Sequence, residues 1–270
     1  MKPINLRPQK SLGQNFLVDQ NIARKIVQSL DLQPEDIILE IGPGHGALTQ
    51  IILPQVKQYI GVELDHNLAQ KLIEEHGARE TFQLFTQDFL EFDLAQIGQL
   101  GKRIKIVGNI PYQITSSVIF KVIKNRNYFH QMTLMIQKEV AERVVAIPGS
   151  KAFGILAVLS QTFARPHQLF TVSPHVFYPK PKVTSAVVQW DLELGANKLV
   201  EDEAGYIQMI KKLFQTRRKM LRNSIKQCYG AGIIVSLADK FDLRGRPEQL
   251  SIDEFRQLWQ IIRQVGKDKI

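Results

Sequence analysis

Glu40-Ile41-Gly42-Pro43-Gly44-His45-Gly46, followed about 20 residues on by Val62-Glu63-Leu64-Asp65, decides how this chain is read. Ile37-Ile38-Leu39 ahead of it has the apolar run of a strand, and Ala47-Leu48-Thr49-Gln50-Ile51-Ile52-Leu53 behind it reads as a helix. Strand, glycine turn, helix and a second strand ending in an acid make the opening half of a nucleotide-binding α/β unit. Glycines suit a turn this tight because it needs backbone angles that a Cβ disfavours, and because a ligand must come close to the main chain. The acid at the second strand end can accept hydrogen bonds from both hydroxyls of a ribose.

The spacing bears on the ligand. A dinucleotide fingerprint is G-x-G-x-x-G, with a helix N-terminus aimed at a pyrophosphate. Here the glycines stand at 42, 44 and 46, one residue tighter, and the acid Glu40 precedes them. That is the E/D-x-G-x-G-x-G form used for S-adenosylmethionine, whose methionine tail carries an ammonium that an acid suits and no phosphate that it would repel. On this stretch alone a methyltransferase, a dinucleotide oxidoreductase and a purely structural glycine turn remain open.

Working outward, the alternation continues. Asp19 or Asn21 is expected to cap a helix running to about Ser29, with Ile22, Ile26, Val27 and Leu30 on one face. A helix after Asp65 carries Leu68, Leu72 and Ile73 on its apolar side and ends at Gly77. Strands are expected at Phe82–Phe85, Ile104–Gly108 and Met132–Ile136, and helices at Ser116–Lys124 and Lys138–Val145. The fold class is therefore α/β with a mostly parallel sheet, which places ligands at the carboxyl ends of its strands. Gly42, Glu63, Asp88 and Asn109 all fall at or just past such ends. Each alone has a bland reading as a turn former, a cap or a solvated strand end; four in succession make a site.

The later chain changes character. Val172 to Lys182 is a proline-rich connection, Ala186–Leu192 alternates as a late strand, and Gly195-Ala196-Asn197-Lys198 reads as a linker. From Glu203 onward the pattern is helical, with a capping box at Ser251-Ile252-Asp253-Glu254. The expected domains are 1–195, a methyltransferase-like α/β domain with an N-terminal contacting segment over 1–18, and 196–270, a small all-α domain.

Composition narrows the function classes. The 270 residues carry a net charge of +9 and 44% hydrophobic residues, with a pI near 9.6 and a mean hydropathy of -0.12. No apolar run approaches the roughly 18 residues of a membrane span, so no membrane role is expected. A single cysteine, Cys228, excludes an internal disulfide framework and a cysteine-rich metal site, and no metal is expected. The chain reaches its first motif almost at once, with no apolar signal segment and no room for a transit peptide, so a cytoplasmic location is expected. The positive surplus suits a partner made of phosphates.

Asn109-Ile110-Pro111-Tyr112 is the most specific signal. An exocyclic adenine amine is a poor nucleophile because its lone pair is delocalised into the ring. A neutral acceptor pair, the Asn109 side-chain oxygen and the Ile110 carbonyl, would hold both amine protons and aim the lone pair at a methyl donor. Pro111 fixes the turn, and Tyr112 offers a face on which the base can stack. The bland alternative is a proline turn that merely opens the next helix.

With these motifs in place, Gln14-Asn15-Phe16-Leu17, Glu40–Gly46, Glu63, Gln87-Asp88-Phe89, Asn109–Tyr112 and Phe177-Tyr178-Pro179-Lys180-Pro181-Lys182-Val183 resemble the ribosomal RNA adenine N6-dimethyltransferases, in order and over nearly the whole chain. The resemblance implies a Rossmann-like class I S-adenosylmethionine methyltransferase domain with a small C-terminal all-α domain. It implies S-adenosylmethionine held by Asn15, Leu17, Glu40, Gly42 and Gly44, by Glu63 at the ribose, and by Asp88 and Phe89 at the cofactor's adenine, with Asn109 where cofactor and target meet. It implies Phe177 stacked on the flipped target base opposite Tyr112.

Within that family, Leu12-Gly13-Gln14-Asn15 and Phe214–Ser224 resemble the branch that dimethylates two adjacent adenosines near the 3′ end of small-subunit 16S RNA and serves in subunit assembly. The partner implied is the small ribosomal subunit, gripped by Lys10, Lys180, Lys182, Arg217, Arg218, Lys219 and Arg222; these cations also have the bland reading of a solvated face. His45, Gln113, Thr184 and Met220 depart from the pattern, and Gln113 stands beside the catalytic turn. A monomer is expected, since no large apolar surface stripe stands out. The alternatives are the large-subunit branch that confers macrolide resistance, and an RNA-binding assembly factor in which methyl transfer is secondary or lost.

Overall fold

The computed structural model describes residues 13–100, 104–193 and 200–267. The chain divides into two compact units, the first of Met1–Ala141 with Ala164–Leu194 and the second of Glu142–Phe163 with Gly195–Ile270.

The first unit holds a seven-stranded sheet. Its strands are β2 (Ile37–Ile41), β3 (Gln58–Glu63), β4 (Phe82–Thr86), β5 (Ile104–Asn109), β6 (Phe129–Gln137), β7 (Arg165–Val172) and β9 (Ser185–Asp191). They lie in the order β4-β3-β2-β5-β6-β9-β7. The five from β4 to β6 run parallel, and β9 is antiparallel to both β6 and β7. The chain builds outward from β2 through β3 to β4, then returns to the other side of β2 with β5. That reversal opens a crevice at the carboxyl ends of β2 and β5, where open α/β sheets bind ligands. β2 is buried along its whole length, as a strand covered on both faces must be.

The covering helices are α1 (Gln20–Gln28), α2 (Thr49–Ile52), α3 (His66–His76), α4 (Ala95–Gly98) and α5 (Thr115–Lys124), and α6 (Lys138–Val144) follows β6. Asp19 caps α1, its carboxylate accepting the amides of Asn21 and Ile22 at 2.8 and 3.0 Å. Asp65 caps α3 in the same way, through the Asn67 amide at 2.9 Å. Ile73, expected on the apolar side of α3, is instead 47% exposed, while Leu68 and Leu72 are buried. The helix expected over 47–53 is shorter: turns precede Thr49, and Pro54 falls in the 3-10 turn Leu53–Gln55 that ends it. At the opposite ends of the strands the Lys105 ammonium meets Asp36 at 2.7 Å and donates to the Leu30 and Asp31 carbonyls, so a buried charge pair closes that end.

Two pairings lie outside the sequence expectations. The edge strand β7 alternates poorly and carries Pro166, which an edge tolerates because one side of its backbone has no ladder to feed. A second sheet pairs β1 (Phe16–Leu17) with β8 (Phe177–Tyr178), antiparallel, with Leu17 opposite Phe177.

The second unit groups α7 (Ile155–Phe163) with α8 (Glu203–Gln215), α9 (Leu221–Tyr229), α10 (Ile233–Ala238) and α11 (Ile252–Lys267), and α7 packs directly against α8 and α11. The expected boundary at 195/196 left 142–163 with the larger domain; the structure groups that segment with the helices. The physical reason is that α7 is buried almost all round. The Thr162 hydroxyl lies 3.0 Å from that of Tyr206, and the Thr162 carbonyl accepts from Arg256 at 2.7 Å. The expected linker, 195–198, lies outside the described residues. The capping box forms, with the Ser251 amide on Glu254 at 2.7 Å and the Glu254 amide on Ser251 at 3.2 Å. Among the described residues no helix is long and apolar enough to cross a membrane.

Candidate active site

Four strand ends and the segment before α1 enclose one cavity in the first unit, lined among others by Asn15, Gly42, Glu63, Asp88, Asn109 and Tyr112. The glycine turn leaves β2 with Gly42, Gly44 and Gly46 all in the left-handed region, at φ +63, +59 and +74. Their neighbours differ. A Cβ on Gly46 would meet Leu72 at 3.0 Å and one on Gly44 would meet the Phe16 ring at 3.3 Å. A Cβ on Gly42 would meet nothing within 4 Å, so this glycine keeps a piece of the cavity open.

Glu63, at the end of β3, is 5% exposed and braces that turn. One of its oxygens accepts the Gly44 amide at 2.9 Å and the other the Asp65 amide at 2.9 Å. Burial pushes its pKa up, and those backbone amides pull it down. Each carboxylate oxygen has a further lone pair, so acceptors remain for the two hydroxyls of a ribose.

Glu40 lies deeper, at 2% exposure. Its Oε2 accepts the hydroxyls of Thr49 and Tyr59, each at 2.8 Å. Burial raises its pKa to about 7, against the pull of those two hydroxyls and helped by the charge of Glu63. Glu40 therefore lines the cavity while bracing its floor through Thr49 and Tyr59.

Past β4, Asp88 Oδ1 accepts the Leu90 amide at 2.7 Å, folding a turn that sets Phe89 against the cavity. Oδ2 is the acceptor a ligand amine would use. Past β5, Asn109 Nδ2 donates to the Asn15 carbonyl at 2.9 Å. A carbonyl can only accept, so this bond fixes which way the amide faces and leaves Oδ1 as the acceptor at its other end. Ile110 and Pro111 line the cavity beside it. The half-buried Tyr112 is tethered by its hydroxyl, 2.8 Å from the Ser185 hydroxyl, and burial raises its pKa.

The cavity thus gathers Asn15, Leu17, Glu40, Gly42, Gly44, Glu63, Asp88, Phe89 and Asn109 through Tyr112. Phe177 is the exception. It is 4% exposed, packed in an apolar cluster with Leu17, Ala23 and Val187, and is not among the residues lining the cavity. Its pairing opposite Leu17 buries it, while the neighbouring Tyr178 is 49% exposed. Among residues not singled out as ligands, Phe16 packs edge-on against His45 with ring centroids 4.4 Å apart. Its place inside Gln14–Leu17 was the available signal.

Of the expected RNA contacts, Lys180, Lys182, Arg217, Arg218, Lys219 and Arg222 are exposed, and Lys10 lies outside the described residues. Lys180 Nζ lies 3.2 Å from a His175 ring nitrogen, and Arg217 pairs with Glu248 at 3.3 Å. Among the described residues no group of three or more His, Cys, Asp or Glu could hold a metal ion.

The site fits S-adenosylmethionine on three counts: space at Gly42 that a Cβ would take, carboxylate acceptors at the ends of β3 and β4, and an oriented amide at the end of β5.

Comparison with known proteins agrees with the geometry. Residues 5–264 match the family model described as ribosomal RNA adenine dimethylase. The chain is 43% identical over 262 residues to ribosomal RNA small subunit methyltransferase A of Chlorobium phaeobacteroides (strain BS1), covering 97% of this chain and 96% of that one. It is 42% identical over 253 residues to the protein of the same name in Bacteroides thetaiotaomicron, covering 94% and 93%. The fold is shared with a dimethyladenosine transferase of Plasmodium falciparum, at a TM-score of 0.77 and 23% identity over 94% of this chain and 98% of that one. It is also shared with the 23S rRNA methyltransferase ErmE, at 0.71 and 23% over 92% and 99%. The fold is that of a class I S-adenosylmethionine methyltransferase, and the chain belongs to the ribosomal RNA adenine dimethylase family.

Proposed function

We propose that this protein transfers methyl groups from S-adenosylmethionine to the N6 amines of two adjacent adenosines near the 3′ end of 16S RNA in the small ribosomal subunit, in the cytoplasm, and that it takes part in the assembly of that subunit. The observation that carries this reading is the Asn109–Asn15 hydrogen bond, which turns Asn109 Oδ1 into a fixed acceptor beside the Ile110-Pro111-Tyr112 turn. The small-subunit assignment is supported by the names of the relatives at 43% and 42% identity.

S-adenosylmethionine, when bound, supplies a methyl group on a positively charged sulfur. The chain's own residues do the rest. Asn109 Oδ1 and the Ile110 carbonyl accept the two hydrogens of the target amine and draw its lone pair out of conjugation. Because both acceptors are held in place before the reaction, little reorganisation is left for the transition state. The tethered Tyr112 ring offers the base a flat face, and stacking of this kind contributes roughly 1–3 kcal/mol per base. No strong base is needed, since the amine becomes acidic once methylated and its proton leaves to water.

In the helical unit, Arg217, Arg218 and Lys219 stand in the turn before α9 and Arg222 in its first turn. Cations at a helix N-terminus oppose the helix dipole. Their placement is thus poor for the helix and good for gripping RNA phosphates. The protein acts on its substrate as a monomer.

The test supplies labelled S-adenosylmethionine with under-methylated small and large ribosomal particles and analyses the nucleosides of each RNA. Dimethyladenosine in small-subunit RNA is expected. Label confined to large-subunit RNA would transfer the protein to the other branch, and binding without label would make it an assembly factor.

A further inference from the structure

Lys121 lies on α5, the helix that leaves the Asn109–Tyr112 turn, and is partly buried. It donates to the Leu90 carbonyl at 2.8 Å and to the Phe92 carbonyl at 2.6 Å, and sits 5.4 Å from the centroid of the Phe89 ring. Those carbonyls belong to the turn that presents Asp88 and Phe89 to the cavity. The turn's amides are satisfied from inside: Leu90 N–H bonds to Asp88 Oδ1, and Glu91 and Phe92 N–H to the Asp88 carbonyl. Its outward carbonyls are satisfied by Lys121. Charge-assisted bonds of this kind are about twice as strong as neutral ones. Partial burial pushes the pKa of the ammonium down, and the negative charges of Asp88, Asp93 and Glu91 offset part of that fall.

We propose that Lys121 is a positioning residue for the cofactor's adenine end, holding the Asp88–Phe92 turn so that Asp88 Oδ2 and the Phe89 ring are preset for the ligand. The inference rests on the cofactor reading above. It also makes α5 a strut between the two halves of the site, with the target-amine turn at its start and the adenine turn held from its side. A mere helix-end cation would serve the carbonyls of its own last turn; Lys121 reaches instead to a segment 29 to 31 residues earlier in the chain.

The experiment titrates S-adenosylhomocysteine calorimetrically into wild type, Lys121→Met, Lys121→Arg and Lys124→Met, and measures kcat and KM for S-adenosylmethionine on small particles. Lys124, in the last turn of the same helix, controls for helix stability. The expected result is a dissociation constant and a KM raised about tenfold in Lys121→Met, with kcat within about twofold, most of the loss restored by Arg, and Lys124→Met unchanged. Affinity unaltered in Lys121→Met, kcat falling together with affinity, or equal losses in the two Met variants would overturn the proposal. Wild type that binds no S-adenosylhomocysteine would sink the cofactor reading itself, a separate failure visible before any variant is compared.

Discussion

Asn109 Nδ2 and the Asn15 carbonyl, 94 residues apart in sequence, meet across 2.9 Å and join the end of β5 to the segment ahead of β1. The bond orients the side chain that the proposed mechanism uses to activate the amine. Asn109→Ala removes a preset acceptor and should lower kcat by on the order of 10²-fold or more. Asn109→Asp sets a carboxylate oxygen against the Asn15 carbonyl and should fare no better. Both variants should still bind S-adenosylhomocysteine within a few-fold of wild type, measured by calorimetry; retained methylation in Asn109→Ala would remove Asn109 from the mechanism.

Gly42 and Gly46 share a left-handed φ but not their surroundings. Alanine at either costs about 1–2 kcal/mol in backbone strain. Gly46→Ala adds a clash with Leu72 and should lower the melting temperature more. Gly42→Ala puts its methyl into the cavity, so it should lose more affinity for S-adenosylhomocysteine despite losing less stability. Thermal melts set beside calorimetry test this crossing of ranks.

Glu40 gives a pH signature. Burial raises its pKa to about 7 from 4.5, so between those values the folded protein keeps a proton that the unfolded chain has released. That stability is fully present below pH 4.5 and is lost as pH rises through 7, a difference of roughly 3 kcal/mol. Glu40→Gln carries no such proton. Relative to wild type it should gain stability steadily from about pH 5 to about pH 8 and then level off. Parallel curves for the two proteins would show that Glu40 is ionised throughout.

The cations of the helical unit divide by their partners. Arg218→Ala, Lys219→Ala and Arg222→Ala should weaken binding to small particles and flatten its salt dependence by about 0.7–0.9 in log–log slope for each phosphate that is no longer neutralised. Arg217→Ala should change the slope less, because Arg217 already pairs with Glu248. Binding measured at several salt concentrations separates them, and affinity for S-adenosylhomocysteine should stay constant throughout.

The sequence displays the site better than its enclosure. Glu63, Asp88 and Asn109 stand at strand ends, and strand ends are legible wherever an apolar run stops at a polar residue. The caps at Asp19 and Ser251 are legible too, because capping is local chemistry. β7 escapes because an edge strand exposed on much of its surface has no apolar alternation to show. α7 escapes for the opposite reason: buried nearly all round, it has no polar face to mark a period, and its membership in the helical unit depends on partners 44 and 94 residues away. Phe177 shows the limit of a motif. Its place in Phe177–Val183 gives its company in sequence, whereas its burial follows from a pairing with Leu17 that no local pattern announces.

That pairing has a consequence for the order in which the protein is made. β1 emerges from the ribosome early, yet its partner β8 follows some 160 residues later. Contacts so distant in sequence form late in folding, and domains acquire structure from the N-terminus as synthesis proceeds. The glycine turn and the parallel strands can therefore assemble while the segment carrying Asn15 lacks its strand partner and is held only by contacts such as Phe16 on His45 and Gln14 on Asp65. The strand pairing beside the Asn15–Asn109 bond is completed only after residue 178 has been translated. A chain cut short of residue 177 would hold the strand-end acids without the strand that backs Phe16 and Leu17, so the frame of the site is finished late in synthesis.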